Sequence, residues 1–189
     1  MGTTDRRSPG REALSPATDY AIFLNGGYGV GKSSTLEHAG DLLANAGRPF
    51  SLMDVDWFHR SWPPADQDNA LIEAHNIAAV WKSYRSAGPR QLVMCGVISD
   101  ADARERYAAA LEQPVRMVRL IADAEITRER LRGRYSASQK SALEWHLERC
   151  DEIAARLEAA DLDELVIDTS WLGPQEVAER TLRHFGLSG

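Results

Sequence analysis

The sequence predicts an α/β fold, a three-layer α/β/α sandwich built on a five-stranded parallel sheet. Two observations carry that reading. Short apolar runs of strand length alternate with stretches of helical periodicity from residue 20 onward, the order that produces parallel pairing through helical crossovers. The first junction between a run and a periodic stretch is a glycine-rich loop, Gly26-Gly27-Tyr28-Gly29-Val30-Gly31-Lys32-Ser33. At 189 residues and 43% hydrophobic content, the chain suits one domain with a substantial core.

The elements follow in order. Tyr20 to Leu24 reads as a buried strand. After Lys32, the residues Leu36, Ala39, Leu42, Leu43 and Ala46 recur at helical spacing, and Gly47 with Pro49 supplies a stop. Phe50 to Asp56 reads as a second strand whose alternation puts Asp54 and Asp56 on one face. Leu71, Ala74, Ile77, Ala78, Trp81 and Tyr84 mark a helix closed by Gly88-Pro89. Gln91 to Ile98 is a third, central strand, and Ser99 or Asp100 caps a helix that ends before Pro114. Val115 to Ala122 is a fourth strand, and Asp123 opens a helix bearing Ile126 and Leu131. Leu143, Leu147, Cys150, Ile153 and Leu157 define a longer helix, and Glu164 to Asp168 a fifth strand. The last helix starts at Gly173-Pro174, where proline suits the first helical position.

The glycine loop fits G-x-x-x-x-G-K-[ST], the pattern of a phosphate-cradling P-loop, in the strand–loop–helix setting that the pattern requires. Its glycines let the backbone turn N–H groups inward, and the following helix adds the positive end of its dipole. Gly26 to Ser34 is thus the expected binding segment for a nucleoside triphosphate. Lys32 is expected on the β- and γ-phosphates and the Ser33 hydroxyl on Mg²⁺.

Composition narrows the classes. A net charge of −6 argues against a nucleic-acid partner held by phosphate contacts. No apolar run approaches the roughly 20 residues of a membrane span. Cys95 and Cys150 show no metal-ligand spacing and are expected as reduced thiols in a cytoplasmic protein. Residues 1–18 are polar and read as a disordered tail, with residues 19–189 as a single domain. Arg6-Arg7 lacks the apolar segment that a twin-arginine signal needs. No [NT]-K-x-D stretch occurs, so the usual guanine-reading element is missing, and one short domain leaves little room for motor or transporter machinery.

Downstream, Arg128, Arg130, Arg132 and Arg134 crowd one helical segment, with Arg130 and Arg134 on a shared face. Two readings stand side by side: a solvated helix paired with Glu125 and Glu129, or a lid that closes over a transferred phosphate and excludes water. After the two aspartates comes Trp57-Phe58-His59-Arg60-Ser61-Trp62, too aromatic for a simple linker. Trp57, His59 and Arg60, with Asp54 and Asp56, are the candidate residues for holding an acceptor.

From about Tyr20 onward, this order of parts resembles the single-domain P-loop small-molecule kinases: gluconate, adenylylsulfate and shikimate kinases and chloramphenicol phosphotransferase. The resemblance to the chloramphenicol phosphotransferase branch is closest around L-N-G-G-Y-G-V-G-K-S (residues 24–33) and V-D-W-F (residues 55–58). It implies a nucleotide-kinase-like P-loop fold with a short helical lid at about residues 130–145. Asp56 falls where that branch has a base toward the acceptor hydroxyl, Arg130 and Arg134 fall on an R-L-x-x-R lid pattern, and Thr169 lies in the turn beside the adenine. One departure stands out. Many of these enzymes carry an acidic residue at the end of the third strand, where this chain has Cys95-Gly96-Val97-Ile98-Ser99. Mg²⁺ would then rest on Ser33, ATP oxygens, waters and Asp54. The expected activity is ATP-dependent transfer of a phosphoryl group to a hydroxyl of a small molecule such as an antibiotic, a sugar acid or a biosynthetic intermediate. A nucleoside monophosphate kinase and a non-catalytic ATP-binding switch are the alternatives. Neither the acceptor nor the oligomeric state is written in the sequence.

Overall fold

The computed structural model describes residues 18–66 and 69–188, so that the expected tail, apart from Thr18, lies outside the described residues. Its strands are β1 (Ala21–Gly26), β2 (Phe50–Asp54), β3 (Gln91–Gly96), β4 (Val115–Ile121) and β5 (Leu165–Asp168). Its helices are α1 (Lys32–Asn45), α2 (Ala70–Ser86), α3 (Ala101–Leu111), α4 (Ala124–Arg134), α5 (Lys140–Ala160) and α6 (Pro174–His184). All strand pairs are parallel, in the order β2-β3-β1-β4-β5.

Strand β1 is buried along its whole length because it lies at the centre of this order. Its alternation feeds two cores. Ile22 and Leu24 pack with α1 and α6 on one face, and Ala21 and Phe23 pack with α2 and α3 on the other. Burial of Ile22, Leu24 and Phe23 contributes about 1.5–3 kcal/mol each relative to exposure. These two cores, one on each face of the sheet, lie between the three layers that the alternation of elements predicts.

Local chemistry sets the boundaries. The Asp100 carboxylate accepts the Ala103 N–H at 2.7 Å and starts α3, and Asp123 accepts the Glu125 N–H at 2.8 Å and starts α4. Pro174 opens α6 as expected. Strand β2, however, stops at Asp54 rather than Asp56. The Asp54 carboxylate accepts the Asp56 N–H at 3.2 Å and folds Val55–Trp57 into a 3₁₀ turn. Asp54 and Asp56 are therefore not alternate residues of one strand face. Likewise β3 ends at Gly96, two residues before Ile98.

Two glycines are structural necessities at the carboxyl edge of the sheet. Gly26 has φ +151°, and a Cβ there would sit 2.6 Å from the Leu120 carbonyl oxygen. A Cβ on Gly96 would sit 2.4 Å from a Val55 methyl group. Among the described residues, no helix is long and apolar enough to cross a membrane.

Candidate active site

The carboxyl ends of the strands open into a cleft of about 710 Å³, bounded by the loop before α1, the segment after β2, the end of α4 and the start of α5. Ligands of open α/β sheets bind at this edge, where the strand order reverses. Here β1 lies between β3 and β4, so the connections to either side diverge over the loop.

The loop is already shaped around a charge. Lys32 is 8% exposed, and its Nζ donates to the Gly26 and Gly27 carbonyls at 2.8 Å each. Burial lowers the lysine's pKa, with the carboxylate of Asp56, then Cys95 and Asp54, pulling it back up. No side chain caps the start of α1, leaving its first-turn N–H groups for a ligand. Tyr28, Gly29, Val30, Gly31, Lys32, Ser33 and Ser34 all line the cleft, whereas Gly26 and Gly27 stand behind it.

The Ser33 hydroxyl donates to Asp54 Oδ2 at 2.9 Å, bringing the two candidate metal ligands together. Among the described residues, no group of three or more His, Cys, Asp or Glu side chains could hold a metal alone. Mg²⁺ keeps waters and phosphate oxygens in its shell and needs few protein ligands, a number that the Ser33–Asp54 pair could supply. Asp56 lines the same cleft, and among the described residues no hydrogen bond or ion pair engages its carboxylate.

At the far end, the Thr169 hydroxyl shares its one proton between the Val30 carbonyl at 2.9 Å and the Ile121 carbonyl at 3.0 Å. Arg130 donates to the Thr169 hydroxyl at 3.1 Å and to its carbonyl at 2.8 Å. Leu172, Pro174 and Val177 make the neighbouring wall apolar. Arg130 and Arg134 both line the cleft, but Arg130 is tied to this turn and Arg134 is exposed. Of the other two arginines, Arg128 pairs with Glu125 and Asp151 outside the cleft, as the solvated-helix reading had it for Glu125. Arg132 does not line the cleft either.

On the opposite side, Trp57 is 68% exposed and the Arg60 guanidinium lies 4.8 Å over its ring. Asn69 holds this segment by donating to the carbonyls of His59 (2.8 Å) and Ser61 (3.0 Å).

Several cleft residues escaped the sequence reading. Glu73 of α2 faces His59 Nδ1 at 3.4 Å. Burial pushes its carboxyl up, and the Tyr107 phenol and His59 pull it back. The signal was present: Glu73, Ile77 and Trp81 are spaced i, i+4, i+8, so a carboxylate sits on the buried stripe of α2. Trp145 and His146 wall the cleft beside Tyr28, with ring centroids 5.8 and 4.6 Å from it. Tyr135 joins them through its hydroxyl, 3.1 Å from His146 Nδ1. Asn25 was missed as well. Its amide oxygen accepts the Gly26 and Ile98 N–H groups, and its amide nitrogen donates to the Ile98 carbonyl and to Asp163. Asp163 is itself buried beside Arg119 Nε at 3.3 Å, an ion contact rather than a directed hydrogen bond.

A central strand, a glycine loop around a buried lysine and an uncapped helix start define the P-loop α/β fold in its nucleotide-kinase-like form. Solved structures share it. The Deinococcus radiodurans tunicamycin resistance protein superposes with a TM-score of 0.61 at 21% identity, covering 89% of this chain and 97% of that one. A sugar kinase from Janibacter sp. HTCC2649 gives a TM-score of 0.56 at 21% identity over 90% and 95% of the two chains. A gluconokinase from Sinorhizobium meliloti 1021 gives 0.56 at 18% identity over 90% and 93%. At these identities the likeness is one of fold. No protein-family model matches the chain, and no curated protein matches its sequence.

Proposed function

We propose that this protein is an ATP-dependent kinase that phosphorylates a hydroxyl group of a small molecule. The observation that carries the reading is Asp56, a carboxylate without a partner among the described residues, in the same cleft as Lys32 and the Ser33–Asp54 pair. A hydroxyl acceptor needs its proton taken and its oxygen aimed, and an unengaged carboxylate supplies both. The solved sugar kinase and gluconokinase share the fold, which supports a phosphoryl-transfer reading.

In this reading the amides of residues 28–34 and the Lys32 ammonium hold the triphosphate, and Thr169 with Arg130 orders the wall beside the base. Ser33 and Asp54 would hold Mg²⁺, which neutralises phosphate charge when bound. Arg134, exposed at the rim, adds positive charge over the transferred group, and the segment from 130 to about 145 closes over it. Asp56 accepts the hydroxyl proton as the acceptor oxygen bonds to phosphorus and the bond to the leaving ADP oxygen breaks. Residues 19–189 act as one cytoplasmic domain.

The test is an ADP-release screen with ATP and Mg²⁺ across hydroxylated metabolites and antibiotics, with mass detection of the added phosphoryl group. Stimulated ADP release with a phosphorylated product is expected. ATP hydrolysis that no hydroxyl compound stimulates would replace the kinase reading with an ATPase switch.

A further inference from the structure

The acceptor half of the cleft has a charge and a surface chemistry of its own. Two carboxylates enter it, Asp56 from the turn after β2 and Glu73 from α2. Its two basic residues lie against these groups. His59 faces Glu73 at 3.4 Å, and Arg60 lies on the Trp57 ring with its Nε 3.4 Å from the Asp56 carbonyl. Among the described residues no carboxylate pairs with Arg60, so this half sets two carboxylates against one permanent positive charge. The walls are π-faces: Trp57 is 68% and Trp145 45% exposed, and Tyr28 packs edge-on against Trp145. Arginines sit over both indoles, at 4.8 Å on Trp57 and 4.5 Å on Trp145, so these rings already stabilise positive charge. Tyr28 joins the acceptor side electrostatically, since burial and then the Asp56 carboxylate push its phenol up.

We infer that the acceptor is an amino alcohol, a hydroxyl compound whose protonated amine is read by Glu73 between the aromatic walls while Asp56 takes the hydroxyl. Glu73 is suited to the task because it is fixed in place. Its side chain is 15% exposed, and the Tyr107 phenol, which burial keeps protonated, lies beside it. A mostly buried carboxylate that lines the cleft, with only the 3.4 Å His59 contact for an ammonium to displace, favours a ligand that brings it a positive charge. A sugar acid or a nucleoside monophosphate would instead bring its charge against Asp56 and Glu73.

This inference rests on the kinase reading, and one experiment separates the two. The full-length protein with ATP and Mg²⁺ is offered an aryl amino alcohol, the N-acetylated form of the same compound, gluconate, shikimate and adenosine monophosphate. The amine is expected to be phosphorylated with a kcat/KM at least about tenfold above its N-acetyl counterpart, and the three acids not at all. Glu73→Gln should bring the amine down to the N-acetyl level while the thermal shift produced by ATP stays as in the parent, which also reports that the variant is folded. Equal turnover of the matched pair, or a Glu73→Gln variant that keeps the preference, overturns the inference. Turnover of the acids alone removes the amine and leaves the kinase standing. ATP binding with no transfer to any hydroxyl compound removes both.

Discussion

Replacing Lys32 with methionine separates what the loop costs the free protein from what it does for a ligand. In the free protein the ammonium is buried, and two terms oppose each other. Its donations to the Gly26 and Gly27 carbonyls, both at 2.8 Å, are charge-assisted bonds that contribute about 1.5–3 kcal/mol each. Withdrawing the charge from water costs several kcal/mol, of the order of the two bonds together. Methionine keeps the length of the stem and removes both terms, so the free variant should melt within about 5 °C of the parent. With ATP and Mg²⁺ at about 100 times the dissociation constant, the parent gains about 2.7 kcal/mol, or about 5–11 °C for a chain of this size. The variant should gain none of it. Differential scanning fluorimetry with and without ATP reads both quantities on one plate. The pH dependence adds a sign. Because burial lowers the Lys32 pKa from its ordinary 10.5, the unfolded chain holds that proton more tightly. The parent's stability from this group therefore rises with pH in the window below 10.5, and the variant lacks that rise. An undiminished ATP shift in Lys32→Met would refute the assignment of the loop.

Asp56→Asn should keep the ATP-dependent thermal shift while phosphotransfer falls about 10²–10⁴-fold, measured as product formed per unit time. Gly96→Ala should lower stability by about 1–3 kcal/mol, because the added methyl would meet a Val55 methyl at 2.4 Å and the Phe23 ring at 3.2 Å, shifting the turn that carries Asp56. Denaturant titration measures the stability loss, and transfer should fall with it. Glu164→Gln tests a surface pair. Arg116 donates from Nε to both Glu164 oxygens at 3.0 Å and holds its carboxyl below the ordinary 4.5. That stability is present above pH 4.5 and is lost as pH falls through the folded value. Both partners are about a third exposed, so solvent screening leaves about 0.2–1 kcal/mol, lost in the variant at pH 7 and in low salt but not at the acid end.

How much of the site was readable depended on whether its geometry is local. Lys32, Ser33 and the glycines could be placed from their spacing, because the backbone of a strand–loop–helix junction dictates where each points. Asp54 could be placed because a carboxylate ending a strand needs a purpose, and Ser33 meets it. Asp56 was found for a partly wrong reason. Strand alternation does not orient it; the 3₁₀ turn made by the Asp54 carboxylate does. Trp145 and His146 were hidden because α5 returns to the loop from more than a hundred residues away, and no pattern within the helix announces that. The absence of an acid at the end of β3 was legible but its reason was not. Gly96 is the residue over which a Val55 methyl group closes, and any side chain there would take that group's space and crowd Phe23.

Helix α5 touches the phosphate loop at three successive points. Trp145 and His146 meet Tyr28, Cys150 and Ile153 approach Gly27, and Asp163, just past the helix, is bonded to Asn25. The loop and the helix are therefore fastened like a plank nailed along its length, and the plank cannot swing without tearing its fixings. Helix α4 is pinned to the same loop, through Thr127 and Leu131 against Gly29 and through Arg130 on Thr169, so the proposed closure would fall to the exposed stretch between the two helices, residues 136–139.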